Sequence, residues 1–287
     1  MTTYRQTLSE FINTVYLPYY MGRGLKGFAT EKGRMDIMME YPIVAKKLTD
    51  INKNDVTLFI AGILSARKIT KATSNRYYAR IHAIFNFAIN EGYMDKNPCQ
   101  GIRKFKEFCR KRALSEEEIR QLLDACAVSK SYYLFDTVCI ALNTGMRRKE
   151  ILTLSSKQID FKNRIITLYG VKTKSGYDRE IPLNDEVIPV LIKLIKRINN
   201  TSLDKLFNVK SVKTAFNTAV KKAGIDPVRF HDLRRTFATH LRDAGVDITV
   251  ICEILGHSSV KVTERYLYNS RNTLQNSIKK IGFKLKR

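Results

Sequence analysis

The sequence predicts a mainly α-helical protein that carries one small antiparallel β-sheet, an α+β fold. Three observations predict it. Apolar residues recur at helical spacing through the first part of the chain, three short β-like runs lie together between residues 159 and 181, and the helical period returns after Pro182. At 287 residues the chain has the length of about two domains.

Taken in order, Leu8, Phe11, Ile12, Val15 and Tyr16 fall at i, i+3, i+4, i+7 and i+8, one face of a helix. Tyr77, Ile81, Ile84, Phe85, Ala88 and Ile89 repeat the pattern, with Thr73-Ser74-Asn75 as capping residues and Gly92 followed by Asn97-Pro98 as the stop. These elements predict a small all-helical domain over residues 1–105. Residues 104–112, KFKEFCRKR, have no apolar period and interleave basic with aromatic residues, which reads as a linker lying against phosphates, with 106–113 as the connecting segment. A second domain, 114–270, opens on Ser115-Glu116-Glu117-Glu118, a capping box ahead of Ile119, Leu122, Leu123 and Cys126. A helix over Tyr132–Leu142 ends at Asn143-Thr144-Gly145, and a short one over Arg147–Leu154 follows. Then the period changes. Ile159–Phe161, Arg164–Tyr169 and Tyr177–Ile181 read as strands, with Lys174-Ser175-Gly176 as the turn between the last two. Helices are expected over Val187–Ile198, Val212–Ala223, Asp232–Ala244, Ile248–Leu255 (Asp247 as cap, Gly256 as stop) and Val260–Leu267. A last basic helix within 271–287 carries Leu274, Ile278 and Ile281 on one face.

Composition narrows the function. The 51 Lys and Arg against 27 Asp and Glu give a formal charge of +24, which calls for a polyanionic partner. Residues 1–105 hold 16 basic against 8 acidic residues (+8), and the remainder 35 against 19 (+16), so both domains would face that partner. No stretch approaches the roughly 18 apolar residues of a membrane span, and the N-terminus lacks the apolar core of a secretory signal, so a cytoplasmic protein without a membrane partner is expected. The five cysteines, odd in number and without CxxC spacing, read as reduced packing residues, neither a disulfide framework nor a zinc site.

Four separated pieces carry the candidate chemistry. Arg147 follows a glycine turn with Glu150 three residues on, on the same helical face and able to orient the guanidinium. Lys174 lies in the turn of the predicted hairpin, with Lys172 close by. His231-Asp232-Leu233-Arg234 sets an imidazole and a guanidinium on one face at a helix N-terminus, where anions bind readily. His257 stands beside a turn, nine residues before Tyr266. Tyr268 also neighbours Tyr266, but two residues along a helix turn it about 200° away. Taken alone, each has an ordinary structural account: a surface ion pair, a solvated turn lysine, a histidine cap and a packed tyrosine.

Together and in this order the pieces resemble the tyrosine recombinases, or phage integrases. The resemblance is carried by TGMRRKEIL (144–152), KTKSGYDREIPL (172–183), FHDLRRTFATHL (230–241) and LGHSSVKVTERYLY (255–268). It implies a helical N-terminal core-binding domain and a tyrosine-recombinase catalytic domain closing on double-stranded DNA. Arg147, His231 and Arg234 would then activate the phosphate, Lys174 would be the hairpin lysine, His257 the second histidine and Tyr266 the nucleophile, with Glu150 in support. The chemistry agrees with that assignment. Two guanidinium forks suit the two charged non-bridging oxygens of a pentacovalent phosphorane, and the sequence shows no carboxylate cluster or histidine spacing for a metal ion. Catalysis without metal or cofactor is expected, as is a homotetramer on two recombination sites, possible accessory DNA-bending or directionality factors, and docking of residues 271–287 on a neighbouring protomer. The helical domain begins almost at Met1, which suits a recombinase without a further arm-binding domain. A type IB topoisomerase and a non-cleaving DNA-binding regulator are the rival functions.

Overall fold

The computed structural model describes residues 6–24, 27–107, 110, 112–170, 178–198 and 204–256, and the chain divides into two compact units, Met1–Phe108 and Cys109–Arg287. In the first unit a capping box starts α1 (Leu8–Phe11). The Thr7 hydroxyl accepts from the Glu10 amide at 3.2 Å, and the Glu10 carboxylate accepts from the Thr7 amide at 2.8 Å. A π-helical turn, Ile12–Tyr16, carries the chain on into α2 (Leu17–Gly22). The predicted stripe faces inward: Leu8, Phe11, Ile12 and Tyr16 are buried, and Val15 packs half-buried against them. Three further helices, α3 (Phe28–Met38), α4 (Lys53–Ala66) and α5 (Lys71–Asn90), close a core around Phe11, Met35, Met38, Ile63, Ile81 and Phe85.

The start of α5 corrects the sequence expectation. Its cap is Thr70, whose hydroxyl accepts from the Thr73 amide at 3.2 Å, so Thr73, Ser74 and Asn75 lie within the helix. Asn75 turns its side chain to a distant backbone instead: Oδ1 accepts from the Phe105 amide at 3.0 Å and Nδ2 donates to the Phe105 carbonyl at 2.8 Å. A side chain that can cap a helix locally is here engaged thirty residues away, a choice made by packing and not by propensity.

The basic stretch expected as a phosphate-facing linker is also held by protein at both ends. Phe105 packs against the core of the first unit, and Arg76 pairs with Glu107 at 3.1 Å. In the second unit Arg110 donates to the Pro227 carbonyl, and Arg112 pairs with Glu118 and reaches the Asp226 carbonyl at 3.5 Å. The missing apolar period reflects polar anchoring.

In the second unit α6 (Glu116–Ala127) starts on the predicted capping box, with the Glu118 amide donating to Ser115 Oγ at 3.2 Å and the Ser115 amide to Glu118 Oε2 at 3.0 Å. The next helix, α7 (Leu134–Thr144), starts and ends two residues later than the apolar run suggests, and leaves Tyr132 exposed with Arg197 5.0 Å over its ring. Buried on nearly every side, α7 is the central helix. After α8 (Arg148–Leu152) come β1 (Ile159–Asp160), β2 (Ile165–Leu168) and β3 (Arg179–Pro182), an antiparallel sheet in that order. Ile166 pairs with both Ile159 and Ile181, and Leu168 pairs with Arg179. Strand alternation buries Arg179 and Ile181 on one face of β3.

Four helices complete the described unit: α9 (Ile188–Ile198), α10 (Lys213–Lys222), α11 (Phe230–Asp243) and α12 (Ile248–Leu255). α11 begins two residues before Asp232, because the Asp232 carboxylate reaches back to accept from the Arg229 amide at 2.9 Å. Asp247 and Gly256 bound α12 as predicted, Gly256 with φ of +64°. The hairpin turn with Lys172 and Lys174, the helix expected over 260–267 and the basic C-terminal helix lie outside the described residues.

Candidate active site

Three helix ends converge in the second unit. α7 terminates at Gly145, where φ of +61° and the absence of a side chain let the backbone turn against Leu255 and the Phe237 ring. This turn delivers Arg147 to the position that caps α8. α11 brings His231 and Arg234 one turn apart, and α12 ends on Leu255 and Gly256.

Arg234 ties these ends together. It is 1% exposed, donating through Nη1 to the Gly145 carbonyl at 2.8 Å and through Nη2 to the Leu255 carbonyl. Carbonyls at a helix C-terminus carry partial negative charge, which makes them natural partners for a buried guanidinium. Arg147, about a quarter exposed, donates Nη1 to Glu150 Oε1 at 2.9 Å and Nη2 to the Gly256 carbonyl at 3.4 Å. Glu150 also accepts the Arg147 amide at 2.7 Å. The ion pair foreseen from the i, i+3 spacing is therefore present, but Glu150 is shared with a second guanidinium. Arg179 donates Nη2 to Oε2 at 2.8 Å and Nη1 to Oε1 at 3.3 Å. Burial pushes the Glu150 carboxyl up, and the two arginines, Arg179 first, more than reverse this and hold it below the usual carboxylate range.

His231 stands at the exposed rim of the cleft. Loss of surrounding water against the cleft wall lowers its pKa first, and the positive charges of Arg234, Arg235 and Arg147 lower it further against the opposing pull of Asp232. The cleft itself, about 600 Å³, is lined by Met146, Arg148, Arg229, His231 and Arg234, and by Lys213 and Asn217 of α10. Its guanidinium and imidazole donors and the Lys213 ammonium make the cleft basic, a setting that favours an anion.

The structure brings Arg147, Glu150, His231 and Arg234 into one neighbourhood, although they come from separate segments. Lys174, His257 and Tyr266 lie outside the described residues. Arg148 also lines the cleft, whereas His240 Nε2 lies 3.0 Å from the Leu114 carbonyl, near the start of the unit. Sequence reasoning missed Arg179, and the signal was available. At period two, Arg179 shares the inward face of Ile181, an unusual place for an arginine without a charged partner. Nothing in the sequence pointed to Lys213 or Asn217.

Comparison with known proteins finds relatives of the chain. A model of the phage integrase family matches residues 112–273. The integrase of Salmonella phage P22 is 32% identical over 226 residues, covering 73% of this chain and 57% of that protein. The chain thus spans little more than half the length of that relative. A tyrosine recombinase of Thermosipho africanus is 28% identical over 268 residues, covering 86% of this chain and 91% of its own length. Among solved structures, a lambda integrase tetramer bound to a Holliday junction is 21% identical, with a TM-score of 0.76 over 91% of this chain and 77% of that one. No helix among the described residues is long and apolar enough to cross a membrane.

Proposed function

Because the chain belongs to the phage integrase family, the tyrosine recombinases, we propose that it is a site-specific recombinase that cuts and rejoins double-stranded DNA through a 3′-phosphotyrosyl intermediate. The observation that carries the proposal is a basic cleft lined by His231 and Arg234, with Arg147, more than eighty residues earlier in sequence, bonded to the Gly256 carbonyl next to the Leu255 carbonyl that Arg234 holds. In this mechanism the scissile phosphate lies in the cleft, and Arg147 and Arg234 bond its non-bridging oxygens. Each guanidinium carries five N–H groups, so the two carbonyl bonds that hold Arg234 do not exhaust it. His231 donates a hydrogen bond to the same phosphate.

Tyr266, whose ordinary pKa is near 10, gives up its phenolic proton to solvent in this cationic setting and attacks phosphorus as the bond to the 5′-oxygen breaks. Lys174 gives its proton to that oxygen, and the arginines, with His257, stabilise the charge on the phosphorane. The phosphotyrosyl ester conserves the free energy of the phosphodiester. A 5′-hydroxyl from another duplex then reverses the step and releases the tyrosine, which requires neither ATP nor metal. Glu150 supports the reaction by holding Arg147. The lambda integrase tetramer on a Holliday junction supports a tetramer here as the assembly that performs the exchange, with residues 271–287 docking on the neighbouring protomer. Specific recombination sites on a mobile element, accessory bending or directionality factors and a cytoplasmic, DNA-associated location belong to the same proposal.

The test uses duplexes carrying the junction sequence mapped from recombination in cells. Wild-type protein should form a covalent adduct and exchange strands between two duplexes, while Tyr266→Phe should bind almost normally and form no adduct, because only the attacking hydroxyl is lost. An adduct surviving in Tyr266→Phe, or mapping to Tyr268, would refute the nucleophile. Relaxation of supercoils without exchange would assign a topoisomerase.

A further inference from the structure

Arg147 meets two groups among the described residues, the Glu150 carboxylate and the Gly256 carbonyl. Arg179 bears on both. It forks onto Glu150, with Nη2 at 2.8 Å from Oε2 and Nη1 at 3.3 Å from Oε1. It also lies flat against the Gly256 turn, where an added Cβ would come within 2.7 Å of Arg179 Cδ and 2.8 Å of Nη1. A carboxylate bonded to one guanidinium keeps freedom to swing, whereas a two-pronged contact fixes its plane. The sheet register holds Arg179 in turn. It pairs with Leu168, shares the buried face of Ile181 and is 7% exposed. Its charge is too deep to serve as a general DNA contact, and the carboxylate it binds is itself buried.

We propose that Arg179 is a positioning residue for strand cleavage: through Glu150 and the Gly256 turn it sets the direction of the Arg147 guanidinium without touching DNA. The role rests on the recombinase function proposed above and on Arg147 as a phosphate ligand. Gly256 directly precedes His257, so the same contact also bears on the turn from which that histidine leaves.

The experiment measures single-turnover adduct formation by the full chain on the mapped junction duplex, with two scissile linkages. One is the natural phosphodiester, and the other a methylphosphonate in which a methyl group replaces one charged non-bridging oxygen. Arg179→Met keeps the length of the stem and removes the fork. It should slow cleavage of the phosphodiester about 10²-fold, the effect of an ångström-scale misplacement of a catalytic group, while DNA affinity stays nearly unchanged. On the methylphosphonate less charge needs neutralising, so the defects of Arg179→Met and Arg147→Ala should shrink together. The Glu150→Gln, Arg179→Met double variant should be no slower than the slower single variant, because both act on one guanidinium.

A defect of equal size on both linkages, or additive effects in the double variant, would reduce Arg179 to a structural residue and overturn the proposal. Arg179→Lys, which keeps the charge and one bond to Glu150, should lie between wild type and Arg179→Met. If the methionine variant does not fold, the linkage comparison in Arg179→Lys decides the matter alone. Arg147→Ala cleaving the phosphodiester at the wild-type rate is a separate failure: it removes Arg147 from the chemistry, and the positioning role falls with it.

Discussion

Replacing Gly145 with alanine tests whether the convergence of α7, α11 and α12 is built on the backbone turn at that residue. Gly145 has φ of +61°, and an added Cβ would lie 2.9 Å from Leu255 Cδ2 and nearer still to the Phe237 ring. The left-handed conformation costs an alanine roughly 1–2 kcal/mol, and forcing a methyl group into packed side chains costs about 1–3 kcal/mol more, so the total is about 2–5 kcal/mol against the 5–15 kcal/mol typical of a domain. Gly224 supplies the control. Its φ is +66°, and nothing lies within 4 Å of an added Cβ, so Gly224→Ala should cost the backbone term alone. At about 2–4 °C per kcal/mol for a unit of this size, Gly145→Ala should lower Tm by roughly 4–20 °C and Gly224→Ala by roughly 2–8 °C, read by calorimetry as the transition of the second unit. Arg234 holds the Gly145 carbonyl at 2.8 Å, so the folded Gly145→Ala protein should also form adduct more slowly below its Tm. Equal shifts for the two alanines would refute the packing argument. Unchanged adduct formation by Gly145→Ala would detach the turn from the site.

His231, held below its ordinary value of 6.5, stays neutral in the folded chain while the unfolded chain takes up a proton. Its contribution to stability is therefore complete above pH 6.5 and declines as the pH falls from there through the lowered folded value; denaturant midpoints should show this slope, and His231→Gln should lose it. An imidazole NMR titration with a midpoint at or above 6.5 would refute the assignment. Lys174→Ala should slow cleavage by about 10²- to 10⁴-fold if Lys174 is the general acid, and a sulfur in place of the 5′-bridging oxygen, which leaves without a proton, should restore the rate. Rescue of Lys172→Ala in its place would move the acid to Lys172.

The helical stripes at Leu8–Tyr16 and Tyr77–Ile89, the capping box at Ser115–Glu118 and the sheet between residues 159 and 182 were legible in the sequence, because each is encoded within a few residues by period or by a local hydrogen bond. Two pairs of the candidate residues were legible too, in motifs that keep Arg147 with Glu150 and His231 with Arg234 at one-turn spacing. Tertiary structure decided which of these groups are shared. Asn75, a local capping residue by type, is engaged by Phe105 thirty residues on, so the cap of its helix falls to Thr70. Glu150 is divided between Arg147 and Arg179, the latter 29 residues away, and Arg234 is held by carbonyls 89 residues before it and 21 after it. These pairings have no period for a sequence to display. They exist because a buried carboxylate or guanidinium must find an opposite charge or a carbonyl wherever the packed helices leave one, and only the folded chain determines which ends of which helices those are.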